Sequence, residues 1–208
     1  MHFLVGLIIG VLLVSPVSAA DVPWTSLPSK AGITLSYRYN PLLEVKAKAF
    51  YQAKPESFLL LLKDTHSIRR WLKQSQDARM LAGSTDHHWR VYTRFKSIWP
   101  VSPRDMVTCA DVLRLKSQLL QIQISDCSDL VEESADYVRI RKIKALWTIA
   151  VQKQGFELEY QGSANPGGNL PDWLVKQLTL SSLRASFLAF NTELHRPAYQ
   201  LNTKQTTH

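Results

Sequence analysis

The stretch Pro171-Asp172-Trp173-Leu174-Val175-Lys176-Gln177-Leu178-Thr179-Leu180-Ser181-Ser182-Leu183-Arg184-Ala185-Ser186-Phe187-Leu188-Ala189-Phe190-Asn191-Thr192-Glu193-Leu194-His195 decides the fold. Pro171 and Asp172 are helix-start residues: the fixed φ of proline suits a first turn, and a carboxylate is favoured by the free N–H groups there. Leu180, Leu183, Phe187, Phe190 and Leu194 then step by three and four, with Trp173 one heptad before Leu180. One face of a long helix is therefore apolar along its length. Such a stripe must be buried against a second layer.

The preceding sequence supplies that layer as strands. Residues 137–151 and 156–161 read as two strands joined through Gln154-Gly155, with a bulge expected where Arg139-Ile140-Arg141-Lys142-Ile143-Lys144 breaks alternation. Residues 105–114 and 119–126 read as a hairpin, its second strand alternating Leu120, Ile122 and Ile124 with Gln121, Gln123 and Ser125. Residues 78–83 and 88–98 read as two more strands. In the latter, Trp89, Val91, Thr93 and Phe95 alternate with Arg90, Tyr92, Arg94 and Lys96, the pattern of a sheet with one apolar and one wet face. Nearer the start, residues 33–40 and 43–53 form a hairpin about Asn40-Pro41. Helices are expected over 55–63, where Pro55 and Glu56 open the first turn, and over 67–73. This is an α+β pattern, and by itself it describes a solid core as well as a cavity.

The chain has 208 residues, 45% hydrophobic and 20% charged, with 10 Pro and 8 Gly, which fits one folded domain and excludes a low-complexity protein. Its net charge of +8 favours anionic partners, either nucleic acid or acidic lipid headgroups. Residues 3–14 are an apolar run too short to span a bilayer, followed by Pro16, Val17, Ser18, Ala19 and Ala20. This is the pattern of a signal peptide over residues 1–20, cleaved after Ala19 or Ala20. Because only His2 stands before the apolar run, a retained anchor is the alternative. Residues 21–200 are then the folded domain, and 201–208 a disordered tail. A periplasmic or secreted location follows, which removes nucleic acid as a partner and keeps the anionic membrane surface.

Export bears on Cys109 and Cys127. They are symmetric about position 118, so a three-residue turn at 117–119 would set them opposite each other as a disulfide; two buried free thiols are the other reading. No CxxC or HExxH occurs, and His87-His88 are neighbours that point to opposite faces of a strand, so no metal is expected. No cofactor motif is present either: the Gly-rich loop 165–169 lacks the Lys of a phosphate cradle. Without a Gly-x-Ser-x-Gly elbow, and with Asp86, His87 and His88 read as a solvated turn, no catalytic residue is assigned.

Trp99-Pro100, Pro103-Arg104-Asp105, Tyr137-Val138-Arg139, Trp147 and the segment Asn165-Pro166-Gly167-Gly168-Asn169-Leu170-Pro171-Asp172-Trp173-Leu174 together resemble a START domain, the lipid-transfer module of the steroidogenic acute regulatory protein type. The resemblance covers roughly residues 30 to 195. It implies a helix-grip fold, in which a curved antiparallel β-sheet wraps a long C-terminal α-helix around an internal apolar cavity holding one lipid. On that reading Trp89, Val91, Thr93, Phe95, Thr108, Ala110, Ile122, Ile124, Ala145, Trp147, Leu183 and Phe187 line the cavity. Thr93 and Thr108 stand out, because a hydroxyl on an apolar face needs a partner.

The acid and arginine that some sterol-binding members carry fall at Val91 and Ala110 here, so that device is missing. Arg104 and Asp105 read as a structural pair at the start of their strand. Lys63, Arg69, Arg70 and Lys73, or Arg184, are candidates for a basic rim that docks on anionic headgroups. The expected partner is thus a lipid or other hydrophobic small molecule, carried by a monomer. The alternatives are a helix-grip cyclase or aromatase-like enzyme and a solid-core periplasmic interaction protein.

Overall fold

The computed structural model describes residues 22–200, Ser117 excepted; the expected signal segment 1–20 and tail 201–208 lie outside the described residues. The strands in chain order are β1 (Thr25–Lys30), β2 (Ile33–Asn40), β3 (Leu42–Tyr51), β4 (Ser75–Met80), β5 (His88–Phe95), β6 (Arg104–Lys116), β7 (Leu119–Asp126), β8 (Val138–Arg139), β9 (Arg141–Gln152) and β10 (Gly155–Asn165). The helices are α1 (Pro55–Lys63), α2 (Ile68–Trp71) and α3 (Asp172–Glu193). All strands join one sheet in the order β1-β2-β3-β10-β9-β7-β6-β5-β4, antiparallel throughout except for β8, which pairs parallel with β6.

Alternation dictates which face is inside. Leu43, Val45, Ala47, Ala49 and Tyr51 of β3 are buried, while Lys46 and Lys48 point outward to Glu159 and Glu157 of β10. Ala47 and Ala49 take little room, so α3 packs directly over β3 and β2. The helix is fixed there by the Tyr51 hydroxyl, which donates to the Phe187 carbonyl at 2.7 Å. Phe58 of α1, Trp71 of α2, Trp147, Phe156, Phe187 and Phe190 complete an aromatic core, with ring centroids 5.3 to 6.1 Å apart in several edge-on pairs. At its end α3 is tied to α2 by Glu193, buried and paired with Arg70 at 2.7 Å. The chain then makes a 3-10 turn, Pro197–Tyr199, which docks through Tyr199 onto Ser57 and Asp64.

Several boundaries differ from the sequence reading. The expected strand over 137–151 is two: Val138 and Arg139 pair with Arg104 and Asp105, and only beyond Ile140, with Lys142 at φ 54°, does the chain join the main sheet as β9. The helix expected over 67–73 is shorter, a 3-10 turn at Thr65–Ser67 running into the four residues of α2. Strand β1 has no counterpart in the reading, because its Thr-Ser-Leu-Pro-Ser-Lys sequence is polar and holds a proline, which only an edge strand tolerates. The three-residue turn is also corrected. Lys116 pairs with Leu119, a register shift follows, and Cys109 faces Ser125 rather than Cys127. The two cysteines are nonetheless bonded, with Cα atoms 5.7 Å apart. They are diagonal neighbours on one face, a spacing within disulfide reach, and the Cys127 N–H continues the ladder to the Val107 carbonyl at 3.0 Å.

Candidate ligand-binding site

Strand β6 separates two environments. Asp105, Val107 and Cys109 face outward under the connector between β7 and β9. There the Asp105 carboxylate receives both Nε and Nη2 of Arg139, at 2.7 and 2.9 Å, and the Tyr92 hydroxyl at 3.0 Å. Arg139 also donates to the carbonyls of Ser128, Val131 and Glu132, so the connector is clamped to the sheet. Both members of the pair are almost fully buried, and the Asp105 hydrogen bonds hold the Arg139 guanidinium above its ordinary pKa against desolvation. The cysteine bridge pins the same segment at its start.

Arg104, Met106, Thr108 and Ala110 face the other way, into a cavity of about 420 Å³ between the sheet, α2 and α3. Its wall holds Trp89, Val91, Thr93 and Phe95 from β5, Thr108 and Ala110 from β6, Ile122 and Ile124 from β7, Ala145 and Trp147 from β9, and Leu183 from α3. Phe187 is the exception among the expected lining residues. Its ring is completely buried, stacked on Trp147 at 5.9 Å and packed on Tyr51 and Phe190, so it belongs to the aromatic core beneath the cavity. The reason is rotational: position 187 turns toward β3, whereas Leu183, Ser182 and Ser186 turn toward β5 to β9.

Tyr160, Ser186, Arg104 and the Ile98 and Val101 pair also line the cavity, and the sequence reading did not place them there. Ser186 had a signal, since it lies three residues from Leu183 within the apolar stripe. Tyr160 had a weaker one in Gly162, two residues on and on the same face. A Cβ at Gly162 would collide with the Tyr160 hydroxyl, so glycine is what lets the phenol lie flat along its own strand toward Ala145. The Tyr160 ring meets that of Trp147 at 4.5 Å, and desolvation pushes its pKa up to about 12.

Charged groups on the wall are Lys73 and Lys96, both exposed, and Arg104, which is buried. Arg104 and Asp105 are not a pair. They lie on opposite faces, and the Arg104 guanidinium donates to the carbonyls of Ser102, Pro166 and Gly167, tying the loop ahead of α3 to β6. Burial pulls its pKa below the ordinary arginine value. Gly167, at φ 68°, is held against Val138 and the Arg139 carbonyl, where a side chain would not fit. Most of the proposed basic rim is otherwise engaged: Lys63 pairs with Asp86, Arg69 bonds the Gln76 carbonyl, and Arg70 pairs with Glu193. Of that set only Lys73 reaches the cavity. Beside it, Trp99 is 91% exposed on the loop whose Ile98 and Val101 turn inward to the cavity.

An antiparallel sheet gripping a C-terminal helix defines the class as a helix-grip fold. The chain belongs to the START domain family, whose model matches residues 12–204. Among solved structures, a STAR-related lipid transfer protein from Xanthomonas axonopodis is similar at a TM-score of 0.76 and 24% identity, covering 83% of this chain and 99% of that one. Human StAR-related lipid transfer protein 5 is similar at 0.72 and 14% identity, covering 82% and 86%; human STARD10 at 0.71 and 18%, covering 85% and 74%. An uncharacterized protein of Pseudomonas aeruginosa is 22% identical over 123 residues, a match covering 59% of this chain and 60% of that relative's length.

Proposed function

We propose that this protein captures one lipid or other hydrophobic molecule in its cavity, without chemistry, and carries it to or from a membrane as a monomer. The observation that carries the reading is the apolar cavity of about 420 Å³ in a START-family chain. A volume of that size is within the range of small-molecule pockets, and apolar burial at roughly 25 cal/mol per Å² drives capture. Release is favoured at a bilayer surface, where Trp99 is placed to enter the interface while Lys73 and Lys96 meet anionic headgroups. The apolar run and small residues of segment 1–20 support export, and a periplasmic or secreted site of action.

The test uses 1,6-diphenylhexatriene, a hydrocarbon that becomes fluorescent in apolar surroundings. The purified protein is expected to bind it in a one-to-one ratio. A110W, which fills the cavity from β6, is expected to abolish binding with an unchanged circular dichroism spectrum. Absence of uptake by the wild-type protein, or equal uptake by a folded A110W variant, overturns the reading.

A further inference from the structure

The cavity wall carries hydroxyl groups with nothing to bond. Ser186 is 4% exposed, faces the cavity, and its Oγ is buried with no hydrogen-bond partner. The hydroxyls of Thr93 and Thr108, on buried residues of the opposite wall, make no hydrogen bond among the described residues. Nor does that of Tyr160, a half-buried residue of the same wall, whereas the buried hydroxyls of Ser57, Ser67 and Tyr51 are satisfied. A buried hydroxyl left unpaired is costly, and native proteins leave few. Ser186 from α3 and Tyr160 from β10 thus each bring a hydroxyl to the wall of an otherwise apolar chamber.

The charges on the wall are placed differently. Lys73 and Lys96 lie at the exposed margin of the cavity, and Arg104 directs Nε, Nη1 and Nη2 to backbone carbonyls. Arg184, whose Nη1 is also buried without a partner, lies off the cavity wall. Size gives a second constraint. A cavity of about 420 Å³ lies at the lower end of the small-molecule range of roughly 300 to 1,000 Å³, which favours a single-chain ligand over a diacyl phospholipid.

Resting on the carrier reading above, we infer that the ligand is a small uncharged amphiphile with a single hydroxyl or carbonyl group, which enters polar end first and bonds Ser186 and Tyr160. A neutral oxygen meets the unpaired hydroxyls, whereas a carboxylate or phosphate seated there would have to shed its hydration away from Lys73 and Lys96, which stand at the exposed margin, and beside an Arg104 already bonded to carbonyls.

The experiment compares dodecan-1-ol, dodecane and dodecanoate as competitors of bound diphenylhexatriene, and separately tests retention of dimyristoyl phosphatidylcholine after incubation with its vesicles and gel filtration. The alcohol is expected to bind about tenfold tighter than the alkane and tighter than the carboxylate, and the phospholipid not to be retained. S186A is expected to reduce the alcohol's advantage to below about threefold while leaving dodecane unchanged, with Y160F acting in the same direction. Tighter binding of dodecanoate, stoichiometric retention of the phospholipid, or an alcohol preference untouched in both variants overturns the inference and leaves the carrier reading standing. If neither diphenylhexatriene nor any competitor binds, both fall.

Discussion

The two faces of strand β6 are built from alternate residues of one sequence and could hardly be more different. On the outer face, Asp105 and Arg139 satisfy each other and three backbone carbonyls, and a disulfide closes the end of the segment they hold. On the inner face, Thr108 makes no side-chain hydrogen bond among the described residues, and Ala110 is too small to fill the space in front of it. The outer face is finished by protein atoms alone, and on the proposed function the inner face is completed by a ligand. Residues that raise stability and residues that serve binding should therefore separate along a single strand.

Breaking the outer face should have the largest effect. D105A leaves the Arg139 charge buried and unpaired, and is expected to destabilise by about 3 to 5 kcal/mol in urea unfolding, since a buried pair is most costly when half of it is removed. Removing the bridge with C109A and C127A together should cost about 3 kcal/mol, the value for a loop near this length, its partners being 18 residues apart. On the inner face the order reverses. T93V and T108V, close to isosteric, delete unbonded hydroxyls and should leave stability within about 1 kcal/mol of the wild type. Losses of several kcal/mol in these variants would show that the inner face is also complete without a ligand.

The smallest expected effect is in acid. Desolvation pushes Asp126 up, but hydrogen bonds from the Ser128 hydroxyl and from the backbone N–H groups of Ser128 and Ile143 outweigh it and hold the carboxyl below its ordinary value. Its contribution is thus present above the unfolded pKa of about 4 and disappears as pH falls through the lower folded value. D126N should flatten that part of the acid limb by at most about 1 kcal/mol, after allowance for solvent screening. An unchanged limb in chemical unfolding between pH 5 and 2 would remove Asp126 from the clamp.

Much of the inner face was legible in the sequence, because period-two alternation in β5 and β7 fixes which residues share a side. Trp89, Val91, Thr93 and Phe95 are therefore found together on one wall. Phe187 was misplaced for a matching reason: the apolar stripe of α3 is wider than the cavity, and only a helix rotation set by contacts with β3 decides which of its residues the chamber receives. The Pro103-Arg104-Asp105 motif suggests a structural pair at the strand entrance, yet neighbours in a strand point apart, and the partner of Asp105 comes from a two-residue strand 34 positions away. That crossing depends on a parallel pairing over two residues, too short to leave a pattern. Ser186 was present in the stripe all along, and only the chamber beside it gives a serine there any meaning.

The claim that the concave face is completed by a ligand is tested most directly by native and denaturing mass spectrometry of the protein purified from its own host. The account predicts one hydrophobic small molecule per chain, retained in the native spectrum and released on denaturation. A chain that is consistently empty, and that also fails to take up diphenylhexatriene, would contradict it.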